Sequence, residues 1–386
     1  MRVGPHPHAL SLGDSAPRSG RRRFSLLPFP FIRGISWHET MPTALPRSIA
    51  DVPQLDDLLS DPPDYVVEAM RKLDGDILVL GVAGKMGPTL ARMAKRASER
   101  AGARRRVIGA ARFSDLSQQR MLDEGGVETL RCDLLNEREI ERLPDAPNIV
   151  FMAGRKFGSA GVESLTWAMN TYVPAMVARR FKDSRIAVFS TGNVYGLTGA
   201  GRGGSKESDV PRPIGEYAMS CLGRERMFEY FSSVFGTRVA ILRLNYAVEM
   251  RYGIIADLAR RVAAGETIDL SMGYFNVIWQ ADANAMALAS LLHAATPPLV
   301  LNIAGPEELS VRAVCTDLAS LLERSVAFSG HEAADALLSN GERGWSLFGR
   351  PTVGVSQLIE WTADWVSRGG ATLGKPTHFD SRDGSF

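Results

Sequence analysis

The sequence predicts an α/β protein built on a doubly wound parallel sheet, with a smaller lobe towards the C-terminus. Three observations predict it. Apolar runs of strand length alternate with amphipathic stretches of helical length. The first run, "DILVL", is apolar at every position, as a strand covered on both faces requires. A glycine-rich turn, "GVAGKMG", joins that run directly to a helical stretch.

The bulk numbers allow this. A chain of 386 residues has room for one large α/β domain, or for a nucleotide-binding domain with a smaller lobe. Hydrophobic residues make up 45% and charged residues 23%, so a sizeable core is expected. A net charge of +2 argues against a nucleic-acid binder. Cys132, Cys221 and Cys315 are widely spaced, with no CxxC pair and no Cys/His ligand spacing. That pattern points to a reducing, cytoplasmic setting and to no metal site. No apolar run reaches bilayer length, so no membrane partner is expected.

Residues 1–45 read as a disordered extension rich in Arg and Pro, with the working protein starting near Met41. A targeting peptide is the alternative, but Pro28 and Pro30 interrupt its apolar stretch "FSLLPFPFI". Residues 46–74 read as two short helices broken at Pro62-Pro63. Residues 75–245 read as the dinucleotide-binding domain. Its strands are "DILVL", "RRVIGAARF" (105–113), "VETLRCDLL" (127–135), "NIVFMAG" (148–154), "SRIAVFSTGNVYG" (184–196) and "RVAILRLN" (238–245). Long helices fall over 164–182 and 216–233. Residues 246–370 read as a substrate lobe interleaved with the sheet, and 371–386 as a flexible tail.

Gly81, Gly84 and Gly87 lie between a strand and a helix, the context a pyrophosphate needs. The first glycine permits the turn, the second lets backbone approach the anion, and the third lets helix pack on strand. Lys85 and Met86 lie inside the turn, where Lys85 faces either a phosphate or solvent. The second strand ends at Ala111-Arg112, where an NAD site usually carries an acid for the ribose 2′-hydroxyl. A guanidinium suits a 2′-phosphate, so the cofactor reads as NAD or NADP with a lean to NADP. Asp133 and Leu134, after the third strand, are placed to meet the adenine, and a helix N-cap is the other reading of Asp133.

Taken in order, "GVAGKMG", "CDL", "FMAG", "MNTYVPAMV", "STGNVYG", "GEYAMSC", "ILRLN" and "VIWQADANAMAL" resemble the extended short-chain dehydrogenase/reductase family, the NAD-dependent epimerase/dehydratase group. The resemblance spans roughly residues 75–365. It implies a Rossmann-type sheet and hydride transfer at a sugar or nucleotide-sugar hydroxyl or ketone. It implies that Thr191 holds the reacting oxygen, that Tyr217 moves its proton, and that Asn170 helps hold a relay water. It places Ala153 and Gly154 along the cofactor. It also implies a possible homodimer through the helices at 164–182 and 216–233.

One position departs from the family pattern. Where the family has Tyr-x-x-x-Lys, this chain has Tyr217-Ala-Met-Ser-Cys221. Residues i and i+4 share a helix face, so Cys221 points where the lysine would contact the cofactor ribose. A thiol supplies no positive charge to acidify the tyrosine. Three explanations are open. Arg224, Arg155 or Lys156 substitutes for the cation; Cys221 itself reacts; or the protein binds NAD(P) as a sensor or scaffold without turnover. "AVEMRYG" also stands where the family has a tight Gly-Pro turn, which argues against an ordinary UDP-sugar pocket. Arg251 reads as facing a phosphate or carboxylate, or as a solvated loop arginine.

Overall fold

Successive residues of β1 (Ile77–Leu80) point to opposite faces of the sheet, and both faces are covered. Ile77 and Val79 join one apolar cluster, Leu78 and Leu80 the other. That two-sided burial is why the run reads apolar throughout. The computed structural model describes residues 45–156 and 161–384. The extension expected over residues 1–45 lies outside them, apart from Leu45.

The remaining sheet strands are β2 (Val107–Ala111), β3 (Glu128–Arg131), β4 (Asn148–Phe151), β5 (Arg185–Thr191), β6 (Arg238–Leu244) and β7 (Leu299–Ile303). They run parallel in the order β7-β6-β5-β4-β1-β2-β3. The order reverses between β1 and β4. In open α/β sheets a ligand crevice lies at such a switch point, beyond the carboxyl ends of the strands. The Rossmann-type fold is therefore observed. β7 comes from the C-terminal third, so part of the smaller lobe closes the edge of the main sheet.

The early helices α1 (Val52–Leu59) and α2 (Asp64–Lys72) flank Pro62-Pro63. They bury Leu55, Leu59, Val66 and Met70 in the same cluster as the next helix, α3 (Gly87–Arg100). The stretch at 164–182 is not one regular helix. It runs Glu163–Trp167, widens to a π turn over Ala168–Tyr172, and resumes at Val173–Arg180. Pro174 explains the widening. It has no N–H for the carbonyl of Asn170 and its ring crowds that carbonyl. The tyrosine helix spans Gly215–Phe235 and stops at Gly236, whose φ of 73° is left-handed.

The C-terminal segment corrects an expectation. Residues 371–384 do not behave as a loose tail. Asp257 accepts both the backbone N–H and the hydroxyl of Thr377 at 2.7 Å. Phe379 is buried against Phe275, and Arg261 pairs with Asp380 at 3.1 Å. Its Gly, Pro and polar composition hid one buried aromatic and one buried anchor.

Candidate active site

The three glycines of the turn do different work. Gly81 has φ 88°, and a Cβ there would lie 2.7 Å from the backbone of Ala153. A Cβ on Gly87 would lie 2.1 Å from the carbonyl oxygen of Val82. Both are demanded by packing. Gly84 is not, since its nearest neighbour to a Cβ is at 3.4 Å, an ordinary contact. It faces a cleft of about 660 Å³. The missing side chain leaves room for a group to approach the backbone. Beyond it, α3 begins with no side-chain cap at Met86, so its first amides are left to an anion. These residues fit the pyrophosphate of a dinucleotide.

Gly84, Lys85, Met86, Gly154, Thr191 and Tyr217 line that one cleft. Ala153 is buried beneath Gly81. The expected adenine end is less complete. Arg112 is exposed and does not line the cleft. Asp133 turns its carboxylate to the N–H of Leu135 at 3.0 Å, and its own N–H donates to Glu139 at 2.7 Å. Asn136, rather than Asp133, caps the helix that follows. Leu134 is buried in the second core cluster.

Thr191 ends β5. Its hydroxyl donates to Asn193 Oδ1 at 3.0 Å and accepts the Asn193 N–H at 3.2 Å. Tyr217, in the first turn of the tyrosine helix, lines the same cleft. Tyr217 titrates well above the usual tyrosine range. Burial is the main cause, and Cys221 adds to it, while the Arg224 charge and Thr191 oppose it.

Cys221 is not a cofactor contact, as the family position had suggested. It is fully buried, packed with Val194 and Tyr195, and does not line the cleft. Burial pushes its thiol up, against the Arg224 charge and the neighbouring Tyr217. A reactive thiolate needs the reverse.

Asn170 also departs from its expected role. Its Oδ1 accepts from Arg155 N–H at 2.8 Å and from Arg224 at 3.0 Å. Its Nδ2 donates to the Arg155 carbonyl at 2.9 Å and to Ser220 at 3.0 Å. That is the full capacity of an amide, with nothing left for a relay water. Asn170 instead ties the Arg155–Lys156 loop to the tyrosine helix.

That loop carries a cation to the tyrosine. Lys156 Nζ lies 5.8 Å from the centre of the Tyr217 ring and 3.5 Å from the carbonyl of Thr377. Burial lowers its pKa to about 8, and Cys221 opposes that. Arg224 is the second cation. It is buried over Phe151, with one nitrogen at 2.6 Å from the Phe189 carbonyl.

The cleft holds residues the sequence had not singled out, among them Tyr246, Tyr252, Lys375 and Thr377. Lys85 Nζ sits 3.2 Å over the Tyr252 ring. Tyr246, just before the stretch "AVEMRYG", stands at φ 44°. Arg251 is no solvated arginine. It pairs with Asp56 at 2.9 Å and Glu249 at 3.0 Å. Asp56 on α1 could have been suspected only from its place in the polar face of a short helix.

A parallel sheet with an anion-ready glycine turn at its switch point, and with Thr and Tyr hydroxyls beside it, defines a dinucleotide-binding fold of the short-chain dehydrogenase type. Residues 77–276 match the model described as the NAD dependent epimerase/dehydratase family, and the chain belongs to that family. Its structure is similar to UDP-glucose 4-epimerase from Thermotoga maritima, solved with UDP-glucose, at 16% identity and TM-score 0.64, over 76% of this chain and 99% of that one. It is similar to UDP-glucuronic acid 4-epimerase from Bacillus cereus, solved with UDP-glucuronic acid and NAD, at 19% identity and TM-score 0.64, over 76% and 99%. It is also similar to dTDP-glucose 4,6-dehydratase from Bacillus anthracis, solved with NAD, at 17% identity and TM-score 0.64, over 76% and 97%. No curated protein matches the chain by sequence. No described helix is long and apolar enough to cross a membrane.

Proposed function

We propose that this chain transfers hydride between NAD and a hydroxyl-bearing or carbonyl carbon of a nucleotide sugar, as an oxidoreductase or epimerase. The observation that carries the reading is that Thr191 and Tyr217 both line the cleft that Gly84 opens. The nicotinamide, when bound, supplies the hydride acceptor or donor. A carbinol carbon loses hydride only if its O–H proton leaves as well, so Tyr217 takes that proton while Thr191 holds the oxygen. Lys156 supplies the positive charge that Cys221 lacks, from the loop after β4 instead of from the helix. Asn170 fixes that loop.

The relatives above were solved with NAD, and the lean to NADP rests on Arg112 alone. NADP is therefore the comparison to run. Free, buried Cys132, Cys221 and Cys315 support a reducing, cytoplasmic setting. Trp167, Tyr172, Tyr230 and Phe235 are exposed on the two helices named for dimerisation, and we read that face as the contact with a second copy of this chain.

A second reading, cofactor binding without turnover, draws on Cys221. Burial, and after it the neighbouring thiol, raises the pKa of the tyrosine that has to act as base. Incubation of the NAD-loaded protein with UDP-glucose, UDP-glucuronic acid and dTDP-glucose, with products identified by NMR, separates the two. Turnover lost in Tyr217→Phe supports the enzyme; tight NAD binding with no product from any sugar supports the sensor.

A further inference from the structure

Three amino groups from distant parts of the chain line one cleft: Lys85 from the glycine turn, Lys156 from the loop after β4, and Lys375 from the C-terminal segment. We propose that Lys85 and Lys375 form an anion-reading site, with Lys156 between them and Tyr217, that selects a substrate bearing an acidic group besides its nucleotide diphosphate. This deepens the hydride-transfer reading and rests on it for the nature of the substrate.

The charge balance of the cleft supports the site. Its lining includes Lys85, Arg155, Lys156, Arg224, Arg251 and Lys375, against Asp56 as the one acid among the described lining residues. Asp56 already accepts from Arg251 at 2.9 Å. Asp257 feels the Lys85 charge, but its oxygens hold Thr377 at 2.7 Å and Arg260 at 2.7 Å. The cofactor's pyrophosphate belongs at the start of α3, which leaves the positive balance of the lining to a second anion.

Lys375 is held in position. The N–H of Leu373 donates to the Arg251 carbonyl at 3.2 Å, and Thr377 is anchored on Asp257. Lys156 reaches the Thr377 carbonyl at 3.5 Å, so the segment and the loop after β4 are joined. The convergence is costly without an anion. Lys85 has its pKa lowered to about 7, first by burial, then by the charges of Lys156 and Lys375, with Asp257 opposing. An acidic ligand would recharge it and draw in a proton from solvent. Lys375 lies outside residues 77–276, so the family model describes the Lys85 and Lys156 parts of this site but not the third.

The test is calorimetric titration of the NAD-loaded protein at pH about 8, in two buffers of different ionisation heat. UDP-glucuronic acid and UDP-glucose are the paired probes. The expected result is at least about tenfold tighter binding of the acidic sugar. Proton uptake should accompany that sugar alone. Lys375→Gln should abolish the preference and leave NAD affinity unchanged. Equal binding of the two sugars overturns the inference while the hydride-transfer reading stands. So does a Lys375→Gln variant that loses NAD and sugar affinity in parallel, because the lysines then serve the cofactor. If neither sugar binds, the nucleotide-sugar reading fails. Inorganic phosphate then decides the anion site: Lys375-dependent binding with proton uptake sustains it, and no binding overturns it.

Discussion

Cys221 lies one helical turn beyond Tyr217, fully buried, with the tyrosine packed against it. Burial raises the tyrosine's pKa, and the thiol adds to the rise instead of opposing it. Any general-base role for Tyr217 thus depends on charge brought from elsewhere, and Lys156, with its amino group 5.8 Å from the centre of the ring, is placed to bring it.

Replacing Lys156 by Met should lower kcat by about tenfold to a hundredfold, the effect of one to two pKa units on the base. NAD affinity should change little. Adding Cys221→Lys to that variant should recover much of the loss, because the ammonium returns to the family position on the same helix face. Steady-state rates of the three proteins check both statements.

The Lys156 pKa of about 8 gives the pH profile a sign. Its charge is present below that pH and is lost as pH rises through it, so the rate should fall above about 8. Lys156→Arg keeps its charge far beyond that range and should remove the fall. Stability should move the other way. The folded pKa lies below the unfolded value of about 10.4, so between the two the unfolded chain holds more protons. The Lys156 contribution to stability should therefore rise with pH across that window, and Lys156→Met should flatten the rise in urea midpoints.

Gly84→Ala and Gly87→Ala should separate binding from folding. The Gly87 Cβ would meet the Val82 carbonyl at 2.1 Å, so that variant should lose stability. The Gly84 Cβ finds its nearest protein atom at 3.4 Å, so that variant should keep its urea midpoint. It should nevertheless bind NAD about tenfold or more weakly, because the added methyl stands where the pyrophosphate approaches.

Beneath the site, Arg243 pairs with Glu225 at 2.7 Å, and Ser190 donates to the same carboxylate at 2.6 Å. Both partners are buried. Glu225→Ala would leave an uncompensated guanidinium inside the protein and should cost about 3–5 kcal/mol in chemical denaturation. Replacing both residues by apolar side chains should cost much less.

The sheet and the glycine turn were legible because each depends on local rules. Burial on both faces forces an unbroken apolar run, and an anion-binding turn forces small residues at fixed spacing. The hydroxyls of Thr191 and Tyr217 were legible through motif order. The saturation of Asn170 was not, because its four hydrogen bonds are with residues 155, 220 and 224, which the π turn that Pro174 induces brings within its reach. Lys375 was not legible at all. Its segment reads as flexible, and long-range contacts such as the bond from Thr377 to Asp257 hold it at the cleft. The role of Arg112 was overread, since a single guanidinium after β2 says little about a 2′-phosphate when it stands exposed outside the cleft.

The central claim is that Tyr217, assisted by Lys156, moves the proton that accompanies hydride transfer. Rapid mixing of the NAD-loaded protein with an oxidisable nucleotide sugar, followed by the absorbance of reduced nicotinamide, tests it most directly. The account predicts that absorbance grows with the unaltered protein, slows in Lys156→Met, and vanishes in Tyr217→Phe while NAD stays bound. An undiminished signal from Tyr217→Phe, or none from an unaltered protein that holds both ligands, would contradict it.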